Sequence, residues 1–157
     1  LAFSSEIKVG VTRKTQVPFR WIDQGAIKAV QIVELPNRYL AGISEVELKK
    51  HYSDKTNWRE MLKTDSTKID LESERINSLK LLPKETLKLC NEQSYKAYNI
   101  NYPVKRYPVK PNSLNIIKEN SCSAHLIGIK VQYLIFSNDT VFNMRSNEGV
   151  VVSIDID

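Results

Sequence analysis

The chain has two cysteines and two histidines, the residue types most suited to nucleophilic or metal chemistry. An imidazole can activate a thiol as a nucleophile, and the closest such pair in the sequence is Cys122 with His125. On a predicted strand, two side chains three positions apart point to opposite faces, which argues against pairing. No oxyanion-hole or strained-turn motif accompanies them. The sequence therefore predicts no catalytic residues and favours a protein that is not an enzyme.

The same cysteines could instead bond to each other or hold a metal ion. Cys90 and Cys122 flank a proline-rich segment, and an even cysteine count favours a disulfide in a processed chain. The alternative is two unrelated free thiols in a reducing compartment. A zinc site would need Cys90, Cys122, His51 and His125 to converge without the close-spaced ligand pair that structural zinc sites use. We predict a Cys90–Cys122 disulfide, no metal and no cofactor.

A proline-rich strip, residues 102–111, uses the unit Tyr-Pro-Val-Lys twice at a five-residue offset. Its three prolines exclude a helix and favour an extended backbone. One interpretation is an extended edge segment whose tyrosines cover the core. The other is a basic, aromatic docking site, and we predict that a partner is bound there by Tyr102, Lys105, Arg106, Tyr107 and Lys110.

Charge is distributed unevenly along the chain, whose net charge is +5. Residues 80–118 hold eight basic residues and two acidic ones, whereas acidic residues exceed basic ones after that stretch. This asymmetry predicts a protein partner with an acidic surface. The acidic C-terminal part and the lack of any zinc-finger, RNP or helix-turn-helix pattern argue against a nucleic-acid partner.

Length and composition indicate an ordinary globular protein. A chain of 157 residues predicts a single domain over residues 1–157, and 41% hydrophobic residues are sufficient for a core. No apolar run approaches the roughly 20 residues of a membrane span, and the first residues, Leu1 to Glu6, lack the long apolar region that would predict a signal peptide. Because the chain starts with Leu1, we interpret it as a processed product. We predict an extracytoplasmic location, periplasmic or secreted, with membrane contact only through a removed anchor.

Local patterns predict mixed secondary structure in the first part of the chain. Two-residue alternation of apolar residues predicts strands over residues 7–11, 17–21, 28–35 and 67–73. The third of these also fits a helix, but its β-branched residues favour a strand. Capping patterns predict a helix from Ser44, a second one over residues 55–63 after Ser53 and Asp54, and a third over residues 84–93 after Pro83.

The clearest pattern lies in residues 127–156. Apolar residues alternate over residues 127–135 and again over 150–156, with a short strand over 140–144 between two turn-rich segments. We predict a three-stranded antiparallel meander with Ile129 and Val152 in the core. The fold class is then α+β, a single domain whose antiparallel sheet ends in this meander and packs on two or three short helices.

These observations favour a class of function rather than a specific one. We predict a non-enzymatic protein-interaction domain that acts as an accessory or adaptor subunit of an extracytoplasmic assembly, in a bacterial envelope or secreted. Two alternatives stay open: a small secreted hydrolase or toxin, and a module that binds single-stranded nucleic acid.

Overall fold

A computed structural model describes residues 1–53, 55–63, 69–90 and 95–156. The chain forms two compact units, Leu1–Asn101 and Tyr102–Asp157. Short helices and antiparallel strand pairs occur in each, so the predicted α+β class is confirmed. The prediction that the whole chain is one domain, with the meander packed on the helices, stays a prediction.

The first unit contains a sheet of four short antiparallel strands. The strands are β1 (Ala2–Phe3), β2 (Ile7–Lys8), β3 (Lys28–Ala29) and β4 (Tyr98–Asn99). Their spatial order is β2-β1-β3-β4, so the N-terminal strand lies inside the sheet. Two of them fall within predicted strands, residues 7–11 and 28–35. Registers pair Ala2 with both Lys8 and Ala29, and pair Ala29 with Tyr98.

One face of this sheet is covered by a short helix, α1 (Phe19–Asp23). Its Trp21 is buried against Ala2, Ala26 and Ala29. The indole also meets the Tyr98 ring, with centroids 5.5 Å apart. Small alanine side chains leave the room that this large ring needs, so Trp21 fixes α1 to the sheet.

The predicted strand over residues 17–21 is wrong, because these residues lead into α1. The carbonyl oxygen of Pro18 accepts from the backbone N–H groups of Trp21 and Ile22, which closes the first helical turn. Proline suits a helix start because its missing N–H would have had no partner there. An alternation of only three apolar residues did not distinguish a strand from one turn of helix.

Among the described residues of the first unit, four further α-helices follow α1: α2 (Arg38–Leu48), α3 (Trp58–Lys63), α4 (Leu71–Leu79) and α5 (Lys84–Leu87). The predicted start of α2 at Ser44 is wrong, since Asn37 caps the helix by accepting from Leu40 N. Ser44 lies buried inside α2, and its hydroxyl donates to the Leu40 carbonyl. A helix begins after Pro83 as predicted, with Pro83 at its N-cap, but it ends at Leu87, so the predicted helical residues 88–90 are wrong.

The predicted strand over residues 67–73 is wrong in its described part. Asp70 is the N-cap of α4, and its Oδ1 accepts from the backbone N–H groups of Glu72 and Ser73. The cap satisfies two helix N–H groups that would otherwise lack partners. Thr67 and Lys68 lie outside the described residues, as do Asp54 of the second predicted cap and the last three residues of the predicted helix over 84–93.

The second unit contains a three-stranded antiparallel meander, as predicted, but two of its three strands come from the segment predicted to be the first strand. Its strands are β6 (Leu126–Lys130), β7 (Tyr133–Phe136) and β8 (Thr140–Asn143). The predicted first strand is in fact a hairpin, because the chain reverses at Val131, whose φ is +57°. A fourth strand, β5 (Asn112–Ser113), pairs in parallel with β8 and is followed by helix α6 (Ile116–Glu119).

The predicted third strand over residues 150–156 is wrong. These residues form no strand and are exposed, because β5 already pairs with the β8 edge that they would have joined. The predicted core positions are therefore also wrong: Val152 is 48% exposed and Ile129 is 42% exposed. In β6 the buried residues are instead Gly128 and Lys130.

Candidate partner-binding site

The proline-rich strip begins as an extra extended segment beside β6. Val104 forms an antiparallel bridge with Gly128. On either side of it, Lys105 N donates to the Ile127 carbonyl at 2.8 Å, and Ile129 N donates to the Pro103 carbonyl at 3.0 Å. Proline can take part here because it only has to accept a bond. The first Tyr-Pro-Val-Lys unit is thus part of the sheet.

Glycine is required at position 128 by this pairing. A Cβ built on Gly128 would lie 2.9 Å from the Val104 Cα and from both of its γ-carbons. Contacts this short are repulsive, and one of the atoms belongs to the backbone, which moves less readily than a side chain. The absence of a side chain at Gly128 lets the strip approach β6.

Both tyrosines of the strip contact one buried lysine. Lys130 is 0% exposed, and its Nζ lies 5.3 Å from the Tyr102 ring centroid and 4.9 Å from that of Tyr107. An ammonium group is attracted to the face of an aromatic ring, more strongly where water is excluded. The two copies of the repeated unit therefore hold the same amine from two positions in the strip.

Asp139 fixes the second half of the strip. Its Oδ2 accepts from the backbone N–H groups of Val109 at 3.1 Å and Lys110 at 3.2 Å, while Oδ1 pairs with Arg106 Nη1 at 3.1 Å. Arg106 also donates through Nη2 to the Ser137 carbonyl at 2.7 Å. The Lys110 and Val109 N–H groups, together with the Arg106 guanidinium, hold the pKa of the Asp139 carboxyl below its ordinary value of 3.8.

Asp139→Asn is expected to destabilise the protein in a pH-dependent way. Because the folded-state pKa is lowered, the carboxylate stabilises the fold above its ordinary pKa, and this contribution is lost as pH falls through the folded value. For a partly exposed carboxyl we expect a loss of about 1 kcal/mol at neutral pH. Urea unfolding of both proteins between about pH 7 and about pH 2 measures the difference. A difference that stays constant down to the lowest pH would contradict this assignment.

The predicted partner-binding residues thus divide into two groups. Tyr102, Tyr107 and Arg106 hold the strip through contacts with Lys130 and Asp139. The Lys105 and Lys110 side chains are exposed, and Val109 between them is 77% exposed. The surface that the strip offers to a partner therefore includes two lysines, a valine and the exposed side of the Arg106 guanidinium, carried on a backbone that is held at both ends.

Lys130 and Asp139 were not predicted as site residues. In the sequence, Lys130 lies between apolar residues of an alternating run, which is typical of an outward-facing position. Asp139 lies in a turn, where aspartate is common for local reasons, and its φ of +64° is a conformation that aspartate tolerates. The one available signal was the repeated Tyr-Pro-Val-Lys unit, which implied two equivalent contacts without indicating their target.

The predicted disulfide is not found, since Cys90 and Cys122 are free thiols. Cys90 follows α5, and its thiol donates to the Thr86 carbonyl at 3.3 Å. Partial burial raises the pKa of this thiol. Cys122 is exposed, as are His51 and His125.

The described part of the chain contains neither a candidate metal site nor a candidate membrane-spanning helix. No three His, Cys, Asp or Glu side chains among residues 1–53, 55–63, 69–90 and 95–156 are grouped closely enough to hold a metal ion. Over the same ranges, no helix has the length and apolar character needed to cross a membrane.

Comparison with known proteins assigns the chain to a family. One family model matches residues 1–152. The chain belongs to that family, described as "Protein of unknown function (DUF2797)". No curated protein and no solved structure matches the chain. Function must therefore be argued from the geometry of this DUF2797 chain.

Proposed function

We propose that this protein is a non-enzymatic interaction domain, an accessory or adaptor subunit whose proline-rich strip docks on an acidic protein surface. The observation that carries the proposal is the exposure of Lys105 and Lys110 on a strip whose backbone is fixed by hydrogen bonds. Cations at the rim of an interface speed the encounter with an acidic partner and select its orientation.

Rigidity of the strip supports docking. An extended segment that is already ordered loses little conformational entropy when a partner binds, so more of the contact energy appears as affinity. The anchors at Lys130 and Asp139 supply this order before binding. Val109, exposed next to Lys110, offers an apolar contact beside a charged one.

The tyrosine contacts favour a protein partner over single-stranded nucleic acid at this strip. Proteins that bind single strands use aromatic faces as stacking platforms for bases. Tyr102 and Tyr107 each place a ring face near Lys130 Nζ, so these faces contact a group of the fold itself and stabilise it. The remaining exposed groups are suited to carboxylates on a protein surface.

The experiment compares partners captured by three proteins: wild type, a double variant Lys105→Glu with Lys110→Glu, and the control Lys118→Glu. Lys118 is also exposed in this unit, on α6, outside the strip. We expect the double variant to lose a partner that wild type and the control both retain, with unchanged circular dichroism. An identical set of captured proteins for all three would refute docking through the strip.

We also propose an extracytoplasmic location for the assembly, a proposal that the free Cys90 and Cys122 thiols do not support. Fractionation of cells that produce the full-length protein tests it, using an antibody against this chain. Recovery in the cytoplasmic fraction only would overturn the location and leave the docking proposal intact.

A further inference from the structure

A second charged surface lies in the first unit, between β2 and α1. Residues 7–22 contain four basic residues and no acidic one. Lys8 is buried, whereas Arg13, Lys14 and Arg20 are exposed. In the same segment, Phe19 is 68% exposed at the start of α1. We call residues 10–20 the basic loop.

The basic loop is ordered by its own hydrogen bonds and by the helix that follows it. Gln16 N donates to the Arg13 carbonyl at 2.9 Å, and the Thr12 hydroxyl donates to Gln16 Oε1 at 3.3 Å. The end of the loop enters α1, which Trp21 fixes to the sheet. The exposed side chains are therefore carried on a defined backbone.

We propose that the basic loop binds the phosphate backbone of a nucleic acid, with Phe19 stacking on a base. Two arginines can each hold a phosphate through paired N–H groups, which lysine cannot do. Thr12, Thr15 and Gln16 add hydroxyl and amide groups of the kind that contact phosphates and sugars. Phe19 is exposed and directly precedes Arg20 in α1, and single-strand binding proteins combine exposed aromatic rings with cations in this way.

These same groups favour a nucleic acid over the other anionic surface that a basic loop fits, a lipid bilayer. Insertion into a membrane interface needs a continuous apolar face. The exposed large apolar residues of the loop are Val11 and Phe19, eight positions apart, and five polar residues, 12–16, lie between them, followed by Val17, which packs on the core, and Pro18. Lys14 is paired with Glu34 at 2.9 Å, which leaves the two arginines as the main cations for phosphate.

Fluorescence anisotropy with a labelled single-stranded oligonucleotide of about 16 nucleotides tests the proposal. With two to three phosphates neutralised, affinity should fall about 7- to 20-fold between about 50 mM and about 200 mM salt. Arg13→Ala with Arg20→Ala should abolish most of this salt dependence and weaken binding at least ten-fold. Phe19→Ala should weaken binding about ten-fold with the salt dependence unchanged.

Two controls match the variants in charge and in ring exposure. Lys84→Ala with Lys88→Ala removes two exposed cations from the region of α5, and Tyr39→Ala removes a ring that is also 68% exposed. Both should bind as wild type does. Equal losses in the arginine and lysine double variants would show unspecific charge attraction and overturn the proposal. So would binding to phosphatidylglycerol vesicles without binding to the oligonucleotide, or the absence of any anisotropy change with wild type at low salt.

Discussion

Replacing Lys130 with alanine is expected to destabilise the second unit by about 2 to 5 kcal/mol. The side chain is fully buried, and its removal leaves a cavity beneath the strip where its Nζ now meets the rings of Tyr102 and Tyr107. Each ring contact contributes roughly 1 to 2 kcal/mol where water is excluded. Urea unfolding gives the total loss, and amide hydrogen exchange at Lys105 shows whether the strip is released from β6.

Lys130→Met separates packing from charge at this position. Methionine fills most of the volume but lacks the ammonium, so we expect a loss smaller than that of alanine. Removing the ammonium also removes the free-energy cost of burying a charge. This gain offsets the lost ring contacts and can make such a replacement neutral. A methionine variant as stable as wild type would show that the ring contacts add nothing net. Lys118→Ala, an exposed lysine of the same unit, is the control and should change stability by less than about 0.5 kcal/mol.

Gly128→Ala is expected to cost about 1 to 3 kcal/mol, since its new methyl group would lie 2.9 Å from Val104 Cα. The strip must then move away, which weakens the bonds from Lys105 N to the Ile127 carbonyl and from Ile129 N to the Pro103 carbonyl. Faster amide exchange at Lys105 and Ile129 together with a lower urea midpoint would show this movement.

Gly10→Ala is the matched control for this substitution. A Cβ at Gly10 would meet nothing within 4 Å, so the same added methyl group should leave the midpoint nearly unchanged. Adding Val104→Gly to Gly128→Ala removes the two γ-carbon contacts and should restore part of the lost stability. If Gly128→Ala unfolded at the same midpoint as Gly10→Ala, the close approach of strip and strand would be wrong.

The sequence predicts the meander because most of its residues alternate, but it does not reveal where the chain reverses. Lys130 and Tyr133 face each other across a two-residue turn at Val131 and Gln132. Val131 has a positive φ, a conformation that a β-branched residue rarely adopts. Neither Val131 nor Gln132 is a residue type typical of turns, so the sequence did not indicate a turn here. Without this turn, residues 127–135 resemble one long strand. That interpretation predicted Ile129 in the core and Lys130 on the solvent-exposed face.

Long-range competition explains the error at residues 150–156. Their alternation is a real strand signal, yet β8 pairs with Asn112 and Ser113, which precede it by almost 30 positions. Alternation reports which residues could form a strand and contains no information about which edge is still open. The same limit applies to the candidate site. The strip was recognisable from its repeated unit, whereas its anchors at Lys130 and Asp139 depend on contacts across the fold.

The pairing at both sides of the meander has a consequence for association with other chains. Sheet edges expose unpaired N–H and C=O groups, and such edges are templates for aggregation. Here a single continuous stretch of chain, residues 103–113, pairs with β6 at its start and with β8 at its end. One segment therefore protects both edges. A proteolytic cut within residues 106–111 would separate the part that pairs with β6 from the part that pairs with β8. Cleavage at the exposed residues of this stretch would leave each edge covered by a separate short segment, which can dissociate from its strand more easily than the intact segment does.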